Sequence, residues 1–229
     1  MLRKGVFLAL ALLVVCSEQA GAQAFDLLFF NGQRQGFTVG AGVGVGPSYI
    51  HSEAGERSDD VFRIGPGVDI RFGLAPTNNL QFFTGAKMCM CYWDKIGETY
   101  GDYFDAMRGD DLKAVGAIIA FPFAIGIIPM MGSHTVFGLV GATYYLNEAA
   151  PSYFFEGTVG VGIVPDEFGK DTRGGTGFSV GAGYEFVPHF NIRGDILYGH
   201  GVDEPMGYRT YEESATGVTL LVTMNVIAY

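Results

Sequence analysis

The sequence predicts an all-β chain, an eight-stranded antiparallel transmembrane barrel, with ten strands as the alternative reading. Three observations predict it. Segments of strand length alternate bulky apolar residues with glycine or polar ones. The connections between them are short on one side and long on the other. The acidic residues collect in the long ones. Beyond a short leader, no run approaches the ~18 apolar residues of a membrane helix, so any crossing must be made by strands.

The leader comes first. "MLRK", the apolar "GVFLALALLVVC" and the small-residue exit "SEQAGAQA" read as a secretory signal peptide over residues 1–24, cut after Ala22 or Ala24. Residues 25–35 are then an N-terminal periplasmic segment and 36–229 the barrel. Cys16 raises a lipoprotein reading, but Val15 before it is a poor small residue. Only Cys89 and Cys91 outlast cleavage, too few for a disulfide scaffold.

Alternation is plainest in "GFTVGAGVGVGPSY", where every second residue from Gly36 to Gly46 is glycine apart from Thr38, with Phe37, Val39, Ala41, Val43 and Val45 between. Glycine weakens a strand unless its face is crowded, and a narrow barrel interior is crowded while its exterior meets lipid. The segments at 61–74 and 79–93 repeat the pattern and send Arg63, Asp69, Arg71 and Lys87 to the small face. Further segments are expected at 112–127, at 135–147, at 176–186 with 190–200, and at the C-terminus through "GVTLLVTMNVIAY". The pair at 176–200 places Glu185, Arg193 and Asp195 inward. "YFFEGTVGVGIV" at 153–164 also alternates and is assigned to an extension of the third long loop; with "FDLLFF" it would raise the count to ten. Pro66 and Pro122 each remove a ladder donor and are expected at bulges or rims.

"APTN", "IPMMGSH" and "VPH" form the short turns. The other four connections hold 19 of the 23 acidic residues outside the leader against six basic ones, a sidedness that a soluble sandwich does not require. With short turns on the periplasmic side, the acidic loops face outward from the cell.

These features together resemble the small outer-membrane β-barrels of the OmpA-like and opacity-protein type, over residues 36 to 229. The resemblance rests on the signal peptide, the glycine-punctuated strands, the hairpin "GFSVGAGYEFVPHFNIRGDILYGHG" and a terminal aromatic. It implies the outer membrane of a Gram-negative-type bacterium, partners in outer-membrane lipid, lipopolysaccharide and the barrel-assembly machinery, and a monomer. In such proteins the terminal aromatic usually faces lipid, whereas here the clean apolar set is Val218, Leu220, Val222, Met224, Val226 and Ala228, which leaves the phase of the last strand open.

Arg63, Asp69, Arg71, Lys87, Glu185, Arg193 and Asp195 are expected to pair as a structural ion network that fills the lumen. "MCMC" at 88–91 invites a soft-metal reading, but alternation turns Met88 and Met90 outward and Cys89 and Cys91 inward, which leaves lumen packing or a local disulfide. His51 and His200 at the rim, with Ser48 and Ser52 nearby, could serve a lipid hydrolase, yet no acylase motif accompanies them. "DDVFR", "RGDDL" and "PDEFGKD" lack the spacing of a calcium loop. The expected role is therefore structural or surface-interacting and adhesin-like, through acidic extracellular loops and an unidentified loop partner. No enzyme, cofactor, metal or nucleic-acid partner is expected; a lipid-modifying enzyme or small transport barrel is the alternative.

Overall fold

Successive residues of a strand face opposite ways, and in the C-terminal strand burial follows that rule without a break. Gly217, Thr219, Leu221, Thr223 and Asn225 are buried, while Val218, Leu220, Val222, Met224 and Val226 are exposed. The computed structural model of the chain describes residues 33–94, 97–98, 101, 104–105, 132–165, 172–203 and 213–229. Eight strands run in order: β1 (Gly36–Ala54), β2 (Arg57–Ala75), β3 (Leu80–Cys89), β4 (His134–Tyr145), β5 (Ser152–Pro165), β6 (Thr172–Val187), β7 (Phe190–Asp203) and β8 (Glu213–Ala228). Each pairs antiparallel with the next, and β8 pairs with β1 to close the barrel.

The exterior is apolar and the interior polar, the reverse of a soluble core. Val43, Phe62, Leu74, Val159 and Met224 are each at least 60% exposed, whereas Asp69, Arg71, Lys87 and Arg193 are at most 2% exposed. Such a belt is stable only against lipid. No helix among the described residues is long and apolar enough to cross a membrane. The opening glycines now have their reason: a Cβ on Gly42 would lie 1.8 Å from Asn225 Oδ1, and one on Gly44 1.8 Å from the Val222 carbonyl oxygen.

Strand membership differs from expectation at one exchange. The 153–164 segment is not a loop extension but β5, paired along its length with β4 and β6. Its outward Phe155, Val159 and Val161 and inward Phe154, Glu156 and Thr158 give it the two faces of a barrel strand. The 112–127 segment lies outside the described residues, and the ladder closes without it because β3 pairs directly with β4. "FDLLFF" and Pro122 likewise lie outside them. The count of eight therefore stands with β5 as a member; of "IPMMGSH" the described residues are Gly132 and Ser133, just before β4, and His134, its first residue.

Short connections at 76–79, 146–151 and 188–189 share one end of the barrel with the start of β1 and the end of β8. The β1–β2 hairpin tip lies at the other end, where β3, β5 and β7 finish and β4, β6 and β8 begin. Of the acids assigned to loops, Glu148 moves to a short turn and Glu156 into the lumen; the nine others among the described residues stay on the loop side of the strands. The first loop is itself extended chain, since β1 and β2 run 19 residues each to a tip where Gly55 takes φ 63°. About 9–11 tilted residues suffice to cross a bilayer. Because residues 56–60 are all exposed and polar, the far part of this hairpin stands clear of the membrane.

Proline falls where the ladder can spare a donor. The carbonyl of Pro66 accepts from Met90 N at 2.8 Å, just beyond the last β2–β3 pair, Gly67 with Cys89. Its ring nitrogen thus points to the same side, where strand pairing stops. The open phase of the last strand is also settled: Tyr229 is 2% exposed and turns inward.

Candidate functional site

Six side chains meet at mid-lumen because four strands aim their inward positions at one another. Asp69 and Arg71 come from β2, Lys87 from β3, Glu156 from β5, and Arg193 and Asp195 from β7. Glu156 is the hub. Its Oε2 accepts from Arg71 Nη1 at 2.6 Å, Arg193 Nη1 at 3.1 Å and Thr143 Oγ1 at 3.0 Å, and its Oε1 accepts from Lys87 Nζ at 2.6 Å. Asp69 Oδ2 accepts from Arg193 at 2.6 Å and Arg71 at 3.1 Å. Asp195 joins Lys87 at 3.0 Å to Arg193 at 2.6 Å. Three cations face three carboxylates, so the buried set is neutral and each charge has the partner that burial demands.

A second cluster closes the turn end. Arg34, just before β1, donates from Nε to Glu185 Oε2 at 2.8 Å, with Nη2 on the same oxygen. Its Nη1 reaches the carbonyls of Asn147 at 2.7 Å and Asn78 at 3.2 Å, and its guanidinium lies 4.0 Å from the Tyr145 ring centroid. The Tyr229 hydroxyl donates to Glu185 as well, and His189 N donates to that hydroxyl at 3.0 Å. The residues just before β1 and just after β8 are thereby tied to one carboxylate of β6.

Towards the loop end the lumen turns apolar. Val136, Leu197 and Leu221 form one buried cluster, and Ile50, Cys89, Cys91, Tyr92, Val164 and Ala215 another. Ser48 and His134 both bond Thr219 Oγ1, at 2.6 and 2.7 Å. At this end of the barrel Arg173 pairs with Asp203 at 3.3 Å and with Glu213.

Of the seven residues expected in one network, the structure joins Asp69, Arg71, Lys87, Arg193 and Asp195. Glu185 belongs to the separate turn-end cluster. Arg63 belongs to neither: it is exposed, beyond the last β2–β3 pair, with its guanidinium 5.1 Å from the Tyr92 ring centroid. Sequence reasoning missed Glu156 and Arg34. The alternation in "YFFEGTVG" carried the signal for Glu156; Arg34, in an irregular stretch, had none.

The hydrolase residues are scattered. Ser48 is buried and bonded to Thr219, His200 Nδ1 lies 2.9 Å from Thr216 Oγ1, and His51 Nδ1 lies 2.7 Å from Asp60 Oδ1 on the projecting hairpin. His51 also reaches Glu53 at 3.2 Å, and the Tyr49 hydroxyl donates to Asp60 at 2.6 Å. Bonds to Asp60 and then Glu53 hold the His51 proton above the ordinary imidazole range. Those from Tyr49 and then His51 hold Asp60 below the usual carboxylate range. Among the described residues no group of three His, Cys, Asp or Glu side chains is placed to hold a metal ion. "RGDDL" and "PDEFGKD" fall largely outside those residues.

A closed eight-stranded ladder with a lipid-facing belt and a filled polar lumen defines a small transmembrane β-barrel of the outer-membrane type. No family model matches the chain, and no curated protein does. Solved structures similar to it include Neisserial surface protein A, at 14% identity over 84% of this chain and 97% of that one, with a TM-score of 0.41. The attachment invasion locus protein Ail of Yersinia pestis matches at 13% identity over 83% and 99%, TM-score 0.37. The outer membrane protein OprG from Pseudomonas aeruginosa matches at 8% identity over 86% and 97%, TM-score 0.36. The class rests on this chain's own ladder and faces.

Proposed function

We propose that the chain is exported, loses residues 1–24, and serves in the outer membrane of a Gram-negative-type bacterium as a rigid, non-conducting scaffold for surface interaction. The observation that carries this reading is the filled lumen: the neutral network at mid-height, the Arg34–Glu185–Tyr229 cluster at one end and an apolar layer at the other. Activity then belongs to the loop end, where connections on a rigid frame commonly carry function and where the acidic residues gather. Its partner is a cationic surface, met in an adhesin-like way. Lipopolysaccharide and the barrel-assembly machinery are the remaining partners, and the barrel acts as a monomer.

Planar-bilayer recording and adherence test the two halves together. Purified barrel should give no stepwise conductance, and bacteria displaying it should adhere to a polycation-coated surface more than bacteria without it. Replacing Glu53, Glu56, Asp59 and Asp60 by their amides should weaken that adherence while leaving surface display unchanged. A steady conductance would turn the reading to a small transport barrel. Lipid modification that depends on Ser48 and His200 would turn it to an enzyme.

A further inference from the structure

Cys89 and Cys91 would not meet if β3 ran on as a regular strand. Two extended residues span ~6.6 Å, the outer edge of the Cα separation that a disulfide tolerates, ~4.4–6.8 Å. The strand instead ends at Cys89, and Cys91 N donates to Cys89 O at 3.0 Å, a three-residue turn centred on Met90 that draws the two residues together. Met90 N on Pro66 O at 2.8 Å and Tyr92 N on Gly132 O at 2.9 Å hold the turn on both sides. Cys91 Sγ also lies 3.3 Å from Cys89 O, and Cys89 Sγ 3.4 Å from Gly46 O. Both cysteines are buried, at 0% and 2% exposure, in the apolar layer beside Ile50 and Tyr92.

The geometry points to a redox pair: Cys89 and Cys91 are the reduced form of an intrachain disulfide that closes across Met90 during export. This inference rests on the chain being exported, as proposed above. The third cysteine of the sequence, Cys16, lies in the leader, so after cleavage each thiol has one partner within the chain. The oxidant is the disulfide of a thiol oxidoreductase in the oxidising compartment outside the inner membrane. One cysteine thiolate attacks that disulfide and forms a mixed disulfide; the other then displaces the enzyme's sulfur. One S–S bond forms and one breaks, the two thiol protons and two electrons pass to the enzyme, and it leaves as a dithiol. The exchange takes place before the barrel closes, because afterwards neither sulfur is accessible. Once formed, the bond replaces two S–H groups in an apolar layer and secures the turn that leads out of β3.

Intact-mass measurement of the protein from acid-quenched outer membranes, unfolded and treated with N-ethylmaleimide, tests the pairing. Without reductant no adduct should form, and after reduction two should. Dithiothreitol applied to the folded barrel should leave the pair oxidised. Cys91→Ser should take one adduct without reduction. Two adducts on the unreduced wild-type chain would overturn the inference, as would disulfide-linked dimers, or a Cys91→Ser chain whose remaining thiol is blocked. Membrane density is read on the same preparation, so that free thiols in a correctly located barrel count against the disulfide alone, and a mislocated chain counts against export.

Discussion

Glu156 decides the lumen. It bonds all three cations of the mid-lumen network, so Glu156→Ala leaves Arg71, Lys87 and Arg193 facing only two carboxylates in a space closed to water. Breaking a buried pair from one side typically costs about 3–5 kcal/mol, whereas replacing both partners by apolar residues of similar volume can be nearly neutral. Denaturant unfolding in lipid vesicles should therefore show Glu156→Ala much less stable than wild type, with Arg71→Met/Glu156→Leu in between. A Glu156→Ala barrel of wild-type stability would mean that the network is solvated. The sequence showed the inward face of each neighbouring strand, because period two is a local property. It did not show that these residues converge on Glu156, because convergence depends on which strands sit opposite across the lumen.

At the scale of elements, two alternating segments competed for one place in the sheet. Both 112–127 and 153–164 have bulky and small faces, and local pattern does not choose between them. The β4–β5 ladder does. The end of the first loop was hidden for a related reason: residues 51–60 are too polar to read as strand, yet cross-strand contacts hold 51–54 and 57–60 extended on either side of the turn. His51 and Asp60 face each other there. Asp60 contributes most above the ordinary carboxylate range and loses its contribution as pH falls through its lowered pKa. His51 contributes most below the ordinary imidazole range and loses its contribution as pH rises through its raised pKa. The hairpin tip should thus be most ordered between about pH 4 and 6.5. An NMR titration should place the His51 midpoint above that of a free imidazole, and Asp60→Asn should lower it. A midpoint indifferent to Asp60→Asn would show that the contact does not persist in solution.

For the whole molecule, orientation follows from topology and charge together. An even number of strands puts the start of β1 and the end of β8 at the end with the short turns, and Arg34 and Tyr229 are tied to Glu185 there. Among the described residues the exposed acids Glu53, Glu56, Asp59 and Asp60 stand at the opposite end. Single cysteines in a Cys89→Ala/Cys91→Ala background can read this on intact cells with a membrane-impermeant thiol reagent. Asp59→Cys, Asp105→Cys, Asp171→Cys and Glu204→Cys should label, while Asn78→Cys should not. Glu148→Cys is the sharpest position. If 153–164 were part of an outer loop, residue 148 would lie outside the cell and react; with β5 in the barrel it sits in the β4–β5 turn, exposed but facing the periplasm. Labelling at 148 together with 59 would contradict the strand order, and labelling at 148 and 78 but not at 59 would mean that the barrel is inserted the other way up. Protection at both 78 and 148, with reaction at the other four, is the pattern that this fold requires.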